Sequence, residues 1–385
     1  KDFQALAARE NVVVGVYNPV TPAGLFKLNY RMHDKYVIVD DEMYLLGGRN
    51  SNDIFLGDYT TDINVDRDIL VWDITKGEGE SLQELEAYFR QIWNEDCVQI
   101  KGGRKKNSSD ISVSEEADDS EGAESNSKNS NIVNGIPNVE NEITDETQEK
   151  LSKYEKQYQS LEMRYASLKE KYTDIEDYSS WQEDTIPANK ITLVNNGTHA
   201  GPKTPLVLQT IRYLAQNAEN VTIQTPYVIC NGYMYDTLNE IASHAQLKII
   251  LNAVEKGSNP WGCTDYLNQK KKILNTGADV YELMNEVPVH TKAVLLDDRL
   301  SVVGSYNLDM RSTYLDTELM LVIDSKELNQ QIQSTEGTYI EKSKEVLSNG
   351  QETEGAQYET KELNWQKKLF YGVLRIIIRP LRQLL

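Results

Sequence analysis

Cysteine is scarce in this sequence, and its spacing excludes two kinds of structural site. The 385 residues include three cysteines, at positions 97, 230 and 263, and none has a CxxC or Cys/His ligand spacing. Such a set predicts neither a disulfide framework nor a zinc site. We therefore expect a reducing compartment, no metal and no other cofactor.

Positive charge and long apolar runs are also in short supply. Lysine and arginine number 40 against 60 aspartates and glutamates, a formal net charge of −20. A chain of this charge does not cover a polyanion with cations, so no nucleic-acid partner is expected. No run of about 18 apolar residues occurs, and the sequence predicts no membrane-spanning helix. The first residue is Lys1, which leaves open an anchor in a preceding segment.

Two unusual segments occupy the middle of the chain. Within residues 104–150, positions 108–149 carry twelve acids against Lys128 alone, and this composition predicts a disordered acidic insertion. In residues 151–185, leucine, tyrosine and isoleucine recur at alternating spacings of three and four, which predicts one stripe of a helix. The stripe consists of Leu151, Tyr154, Tyr158, Leu161, Tyr165, Leu168, Tyr172 and Ile175. We interpret it as a helix lying on its own globular body, with self-association through 151–178 as the alternative.

Beyond residue 186 the hydrophobic pattern alternates between strand and helix periods. Predicted strands cover 191–194, 221–225, 247–253 and 280–283, and predicted helices cover 205–216, 233–245 and 264–275. Strands separated by helices of this length indicate an α/β layer fold.

A set of four polar residues occurs twice with the same spacing. In both copies a lysine, an aspartate and an asparagine follow a histidine by 2, 7 and 17 residues. The sets are His33, Lys35, Asp40 and Asn50, and His290, Lys292, Asp297 and Asn307. Residues two apart on a strand share a face, so each histidine and its lysine point the same way. A further match, "RDILVW" with "TELMLV", aligns Asp68 with Glu318.

These paired motifs resemble the His-x-Lys-x4-Asp motifs of the phospholipase D superfamily, over residues 10–75 and 186–325. The stretch "LNYRMHDKYVIVDDEMYLLGGRN" is most similar to a subgroup of bacterial cardiolipin synthases. The resemblance implies an α/β fold of two phospholipase D-like lobes, each a mixed sheet flanked by helices. A pseudo-twofold axis would relate the lobes and bring both motifs into one site.

The same residue types suit phosphodiester chemistry. A neutral imidazole can attack phosphorus, and a second, protonated imidazole can protonate the leaving alkoxide. Lys35, Lys292, Asn50 and Asn307 would hold the non-bridging oxygens. We expect Asp68 and Glu318 to orient the histidine of their own copy, with Asp40 and Asp297 also supporting the site. The family resemblance assigns His33 as nucleophile and His290 as acid/base.

The first lobe is shorter than the second. His290 stands about 100 residues after the strand at 191–194, whereas 32 residues precede His33. We therefore predict an N-terminally incomplete first lobe at 1–103 and a second lobe at 186–345. A linker and a basic amphipathic helix would then occupy 346–385.

The C-terminal segment reverses the sign of the charge. Residues 361–385 carry six cations against one acid, a net of +5. Its cations are Lys361, Lys368, Arg375, Arg379 and Arg382 on one helical face, and its apolar residues are Trp365, Leu369, Phe370, Val373, Leu374, Ile377 and Leu381. This pattern is typical of a helix lying on an anionic membrane surface. A helix packed on the second lobe is the alternative.

We therefore expect a peripheral enzyme on the cytoplasmic side of the cell membrane. It would move a phosphatidyl group from a phospholipid such as phosphatidylglycerol to an alcohol, and the resemblance implies cardiolipin as product. The alternatives are a phospholipase or nuclease that uses water, and an inactive truncated relic.

Overall fold

The computed structural model describes residues 2–7, 9, 11–21, 27–101, 145–174, 176–177 and 179–382. The chain forms two compact units, which we call the helical unit (Lys1–Val16 and Gln99–Tyr178) and the main unit (Tyr17–Val98 and Ser179–Leu385). Both copies of the repeat lie in the main unit. Most of the predicted acidic insertion lies outside the described residues, and its last part, 145–150, is helical rather than disordered.

The helical unit is built on two helices, α1 (Asp2–Ala7) and α4 (Asp145–Lys171). They pack together, and the guanidinium of Arg9 lies 3.2 Å from the ring centre of Tyr158. The helix predicted to reach residue 185 ends at Lys171, because the chain turns back there. Glu176 then contacts Lys169 at 2.6 Å. A single-turn 3-10 helix, Ser179–Gln182, follows in the main unit, and Ile175 lies outside the described residues.

The first half of the chain contributes a small antiparallel sheet. Its strands are β2 (Tyr36–Val39), β3 (Met43–Gly47) and β4 (Asp68–Trp72), paired in that order. Helix α2 (Asp53–Leu56) precedes β4, and helix α3 (Glu80–Trp93) follows it. Two further strands, β1 (Val14–Tyr17) and β5 (Val98–Lys101), pair with each other.

The second half forms a nine-stranded mixed sheet with helices on both faces. The strands are β6 (Lys190–Asn195), β7 (Asn220–Gln224), β9 (Gln246–Asn252), β10 (Asp279–Leu283), β11 (Ala293–Leu296), β12 (Leu300–Gly304), β14 (Leu319–Asp324), β15 (Ser343–Val346) and β16 (Glu352–Glu354). A short pair, β8 (Val228–Ile229) and β13 (Leu308–Asp309), lies beside it. The helices are α5 (Leu206–Ala215), α6 (Gly232–Ala242), α7 (Pro260–Leu274), α8 (Met310–Tyr314), α9 (Lys326–Glu341) and α10 (Trp365–Leu381).

The sheet order is β16-β15-β10-β9-β7-β11-β12-β14-β6, in which β10, β9 and β7 are parallel. One core lies between this sheet and α5, α6 and α7. A second core joins the two halves of the chain. In it Tyr44 and Leu46 of β3 and the buried face of α3 pack with Leu319 and Leu321 of β14. The α/β fold predicted from the alternating pattern is confirmed.

The two halves repeat the same strands at the same distances from each histidine. Strands β2 and β11 both begin three residues after the histidine, and β3 and β12 both begin ten residues after it. The described residues of the first half contain no counterpart of β7 or β9, which explains why its sheet is antiparallel throughout.

Helix α10 combines both interpretations of the C-terminal segment. Tyr371, Leu374 and Ile378 are buried, and α10 packs along α7. Arg382 is not free for an anionic surface, because it pairs at 2.7 Å with Asp265, whose side chain is 1% exposed. A separate apolar arc remains exposed, comprising Trp365, Leu369, Phe370, Val373, Ile376 and Ile377. None of the helices described is long and apolar enough to cross a membrane.

Candidate active site

The two repeats meet through a pair of equivalent backbone bridges. Met32, just before the first histidine, bridges to Thr317, and Val289, just before the second, bridges to Val65. The hydrogen bonds match as well. The N–H of Thr317 donates to the carbonyl of Arg31, and the N–H of Val65 donates to that of Pro288, both at 2.9 Å. Such reciprocal contacts are those of a twofold relation between the halves.

Each histidine is held by a carboxylate from the other half of the chain. Nδ1 of His33 lies 2.9 Å from Oε1 of Glu318, and Nδ1 of His290 lies 2.7 Å from Oδ2 of Asp66. Both carboxylate side chains are 0% exposed, and the His33 and His290 side chains are 25% and 15% exposed. A carboxylate on Nδ1 fixes the tautomer and leaves Nε2 to face a substrate.

The expected partners of the histidines were wrong in two respects. Glu318 contacts His33 rather than the histidine of its own copy, and Asp66 rather than Asp68 is the carboxylate of the first half. The strand register explains the second error. Gly47 pairs with Asp68, and Gly304, at the same offset from its histidine, pairs with Met320. Asp66 is therefore the structural counterpart of Glu318, and the sequence match is shifted by two residues.

Asp68 instead belongs to a brace around Arg49. The Nε of Arg49 donates to Oδ2 of Asp68 at 2.6 Å. The two terminal nitrogens of Arg49 donate to the carbonyls of Phe55 and Asp66, at 2.7 and 2.9 Å. This network fixes the loop between β3 and β4, and so positions Asp66 indirectly.

The two lysines lie beside their histidines. In each copy the lysine Nζ donates to the carbonyl of the histidine two residues before it. Nζ of Lys292 also lies 2.5 Å from Nδ1 of His290 and 3.8 Å from Oδ2 of Asp66. Burial lowers the pKa of Lys35, and it lowers the pKa of Lys292 to about 7.

The asparagines and motif aspartates occupy two different places. Asn50 and Asn307 follow β3 and β12, and each accepts a backbone N–H two residues later in the chain. Asn307 is buried, and its Oδ1 has no hydrogen-bond partner among the described residues. Asp40 and Asp297 lie at the opposite ends of β2 and β11 from the histidines, with φ of 48° and 50°.

The two aspartates therefore shape the hairpin turns, where aspartate tolerates a left-handed backbone. Oδ1 of Asp297 accepts the N–H groups of Glu219 and Asn220, both at 2.9 Å, and ties its turn to the start of β7. The structure does not bring Asp40 or Asp297 to the histidines.

Sequence reasoning missed two further groups at the site. The hydroxyl of Ser305 donates to Oε2 of Glu318, and the ring of Phe55 stands edge-on to His290 with 4.9 Å between centres. In the first half, Gly48 occupies the position of Ser305, beside Asp66. The signal for Ser305 was its position directly after the glycine that ends β12. Phe55 lies in a loop without a counterpart in the second copy.

Burial and the lysines favour neutral imidazoles. Burial, Lys35 and Lys292 lower the pKa of His33 well below its usual value. Burial and Lys292 lower the pKa of His290 to about 4, against the opposing effect of the bond to Asp66. Burial also raises the pKa of Glu318 to about 7. A bound phosphate monoanion would raise the pKa of both imidazoles, and so supply the proton that acid catalysis needs.

Comparison with known proteins gives matches of one kind. A family model described as "Cardiolipin synthase, PLD-like domain" matches residues 210–335, which include the second repeat. Cardiolipin synthase A of Escherichia coli O157:H7 is 31% identical over 153 residues, 38% of this chain and 30% of that protein. Cardiolipin synthase A of Klebsiella pneumoniae is 30% identical over 142 residues, 36% of this chain and 27% of that protein.

Among solved structures, phosphatidylserine synthase from Haemophilus influenzae Rd KW20 shares the fold. The match has a TM-score of 0.50 at 15% identity, and it covers 92% of this chain and 71% of that chain. The aligned region is thus less than a third of the curated relatives' length, and it supports a family assignment. The chain belongs to the phospholipase D superfamily, and cardiolipin synthases are the relatives that it resembles.

Proposed function

We propose that this protein transfers a phosphatidyl group from a phospholipid to an alcohol through a phosphohistidine intermediate. The observation that carries the proposal is the crossed pair of contacts, His33 with Glu318 and His290 with Asp66. These contacts hold two imidazoles with free Nε2 atoms in one site, beside Lys35 and Lys292. The similarity to cardiolipin synthases supports a lipid substrate and cardiolipin as product.

In the first step Nε2 of His33 attacks phosphorus, and the bond from phosphorus to the leaving alkoxide breaks. His290 gives its proton to that alkoxide. In the second step His290 removes the proton of the acceptor hydroxyl, whose oxygen displaces His33 from phosphorus. The lysine ammonium groups offset the charge on the non-bridging oxygens throughout. Atoms and charge balance without any further reactant.

The test is product analysis with phosphatidylglycerol vesicles. Wild-type protein should form a diphosphatidyl product and release glycerol, whereas His33→Ala and His290→Ala should each lower turnover about 10³-fold or more. His244→Ala is the matched control, because His244 bonds the carbonyl of Ala215 far from the repeats. Chelator should leave the activity unchanged. Phosphatidic acid as sole product would favour hydrolysis by water, and wild-type activity in either variant would contradict the paired mechanism.

The exposed arc of α10 supports a peripheral position on an anionic membrane. Ile376 is 70% exposed and Trp365 is 72% exposed, and basic residues flank the same helix. Apolar burial together with attraction to anionic lipid suits such a helix. Ile376→Asp should weaken binding to phosphatidylglycerol vesicles about tenfold or more. Ile74→Asp, at a residue that is 80% exposed elsewhere, should leave binding unchanged. Equal losses in both variants would remove the special role of α10.

A further inference from the structure

A pocket of about 130 Å³ opens beside His290. It lies at the carboxyl ends of the parallel strands β7 and β9, where ligand sites of α/β sheets are commonly found. Its walls are Phe55, Asn64, Pro226, Tyr227, Asn252, Gly257, Ser258, Asn259, Cys263 and His290. At about 30 Å³ per water molecule, it has room for about four waters. A headgroup of a few heavy atoms fits there, and an acyl chain does not.

Several polar groups of the pocket already have partners inside the protein. The amide of Asn252 bonds the carbonyls of Pro226 and Val289 and accepts the N–H of Val289. Oδ1 of Asn259 accepts two N–H groups at the start of α7. The hydroxyl of Tyr227 is engaged as well, through bonds that involve Asn259. These groups build the walls and have little capacity left for a ligand.

Two polar side chains of the pocket remain available. Asn64 is half-buried and Ser258 is exposed, and neither side chain has a hydrogen-bond partner among the described residues. With the imidazole of His290 they present donors and acceptors together. That combination matches hydroxyl groups, each of which both donates and accepts.

An ammonium headgroup is poorly matched to the same walls. None of the described residues that line the pocket is an aspartate or a glutamate. An ammonium group has three donors and no acceptor, and it would stand near the cations Lys292 and His290. Cation–π binding to Tyr227 is hindered on the side of Gly262, where an added Cβ would lie 2.6 Å from the ring.

We propose that this pocket binds the glycerol headgroup of the lipid in both steps, and that Asn64 and Ser258 select a neutral polyol over an amine. The inference rests on the proposed function, in which His290 protonates the leaving headgroup and deprotonates the incoming one. Since one imidazole performs both transfers, the leaving and accepting hydroxyls must occupy the same pocket in turn. The donor and acceptor lipids therefore carry the same class of headgroup.

The test measures binding, so that it does not depend on turnover. The probes are the deacylated headgroups glycerophosphoglycerol and glycerophosphoethanolamine, titrated calorimetrically into the full chain carrying His33→Ala. Glycerophosphoglycerol should bind about tenfold or more tightly than glycerophosphoethanolamine. Ser258→Ala should weaken only the glycerol probe, by about threefold to tenfold.

Asn64→Asp adds a carboxylate at nearly constant volume, and it should reduce the preference for the glycerol probe about tenfold. Asn239→Asp makes the same change on the exposed face of α6 and should leave the ratio unaltered. Equal affinity for the two probes, binding of neither, or an unchanged ratio in Asn64→Asp would overturn the pocket proposal. A retained preference in a wild-type protein that transfers no phosphatidyl group would instead overturn the proposed function alone.

Discussion

Asp66 and Asp68 offer a direct test of which carboxylate supports His290. They stand two residues apart, and the same change, aspartate to asparagine, can be made at each. Asp66 lies 2.7 Å from Nδ1 of His290, whereas Asp68 lies 2.6 Å from Nε of Arg49. We expect Asp66→Asn to impair catalysis and Asp68→Asn to affect mainly stability.

The size of the effect follows from the burial of the contact. The Asp66 side chain is 0% exposed, so its bond to an imidazolium is shielded from water. A hydrogen bond to a charged group contributes about 1.5–3 kcal/mol, which corresponds to about 10- to 150-fold in kcat. The asparagine amide can also hold the wrong tautomer, which adds to the loss. For Asp68→Asn we expect kcat within about threefold of wild type and a loss of about 1 kcal/mol in the free energy of unfolding.

Two measurements check this prediction. The first is kcat for phosphatidyl transfer, and the second is an NMR titration of the His290 ring, which requires no turnover. Asp66 raises the pKa of His290 from the low value that burial imposes, so Asp66→Asn should lower this pKa further and Asp68→Asn should not. If Asp68→Asn gave the larger loss of kcat, or if both variants left the His290 titration unchanged, the register argument would fail.

Three further predictions concern stability. Burial raises the pKa of Glu336 to about 8, above its unfolded value, so the folded state keeps a proton that the unfolded state has lost; wild type should lose about 1.4 kcal/mol per pH unit between about pH 5 and 8 relative to Glu336→Gln, and parallel denaturation curves across that range would refute this. Gly304→Ala should cost about 1–3 kcal/mol, because its Cβ would lie 2.1 Å from a backbone oxygen of β14; Gly372→Ala, with open space around it, should instead stabilise by about 0.5–1 kcal/mol, as measured by thermal unfolding. Arg382→Ala should cost about 3 kcal/mol, because it strands a buried carboxylate, whereas the exposed Arg379→Ala should change unfolding by less than about 0.5 kcal/mol; equal effects would mean that the ion pair does not anchor α10.

The strands and motifs of this fold were predictable from local sequence. The second-half strands end within one or two residues of their predicted limits because apolar runs bounded by turn residues fix them locally. The offsets of 2 and 17 correctly placed the lysines and asparagines, since a hairpin with identical strand lengths repeats its geometry. Those offsets contain no information on contacts between the halves, however.

The carboxylates were mispredicted for that reason. Loop length differs between the copies, so Asp66 follows its histidine by 33 residues and Glu318 follows its own by 28. Chemical similarity then favoured the alignment of Asp68 with Glu318, and a shift of two residues keeps the same strand face. Only the ladder, in which Gly47 meets Asp68 and Gly304 meets Met320, resolves the ambiguity. The end of α4 at Lys171 was missed because periodicity continues past a turn that tertiary contacts impose.

The symmetry of the paired histidines is broken by what surrounds them, and this bears on their roles. The loops after β7 and β9 build the pocket beside His290, and the described residues of the first half contain no counterpart of those two strands. His290 therefore stands next to a site for a small alcohol, the partner with which an acid/base must exchange protons. His33 has no such pocket in the described structure, and its Nε2 is left for bond formation to phosphorus. The assignment of His33 as nucleophile and His290 as acid/base thus gains support from the asymmetry of the chain. Trapping the intermediate on wild-type protein and locating the phosphorylated histidine by mass spectrometry would check it, because phosphate on His290 would reverse the two roles.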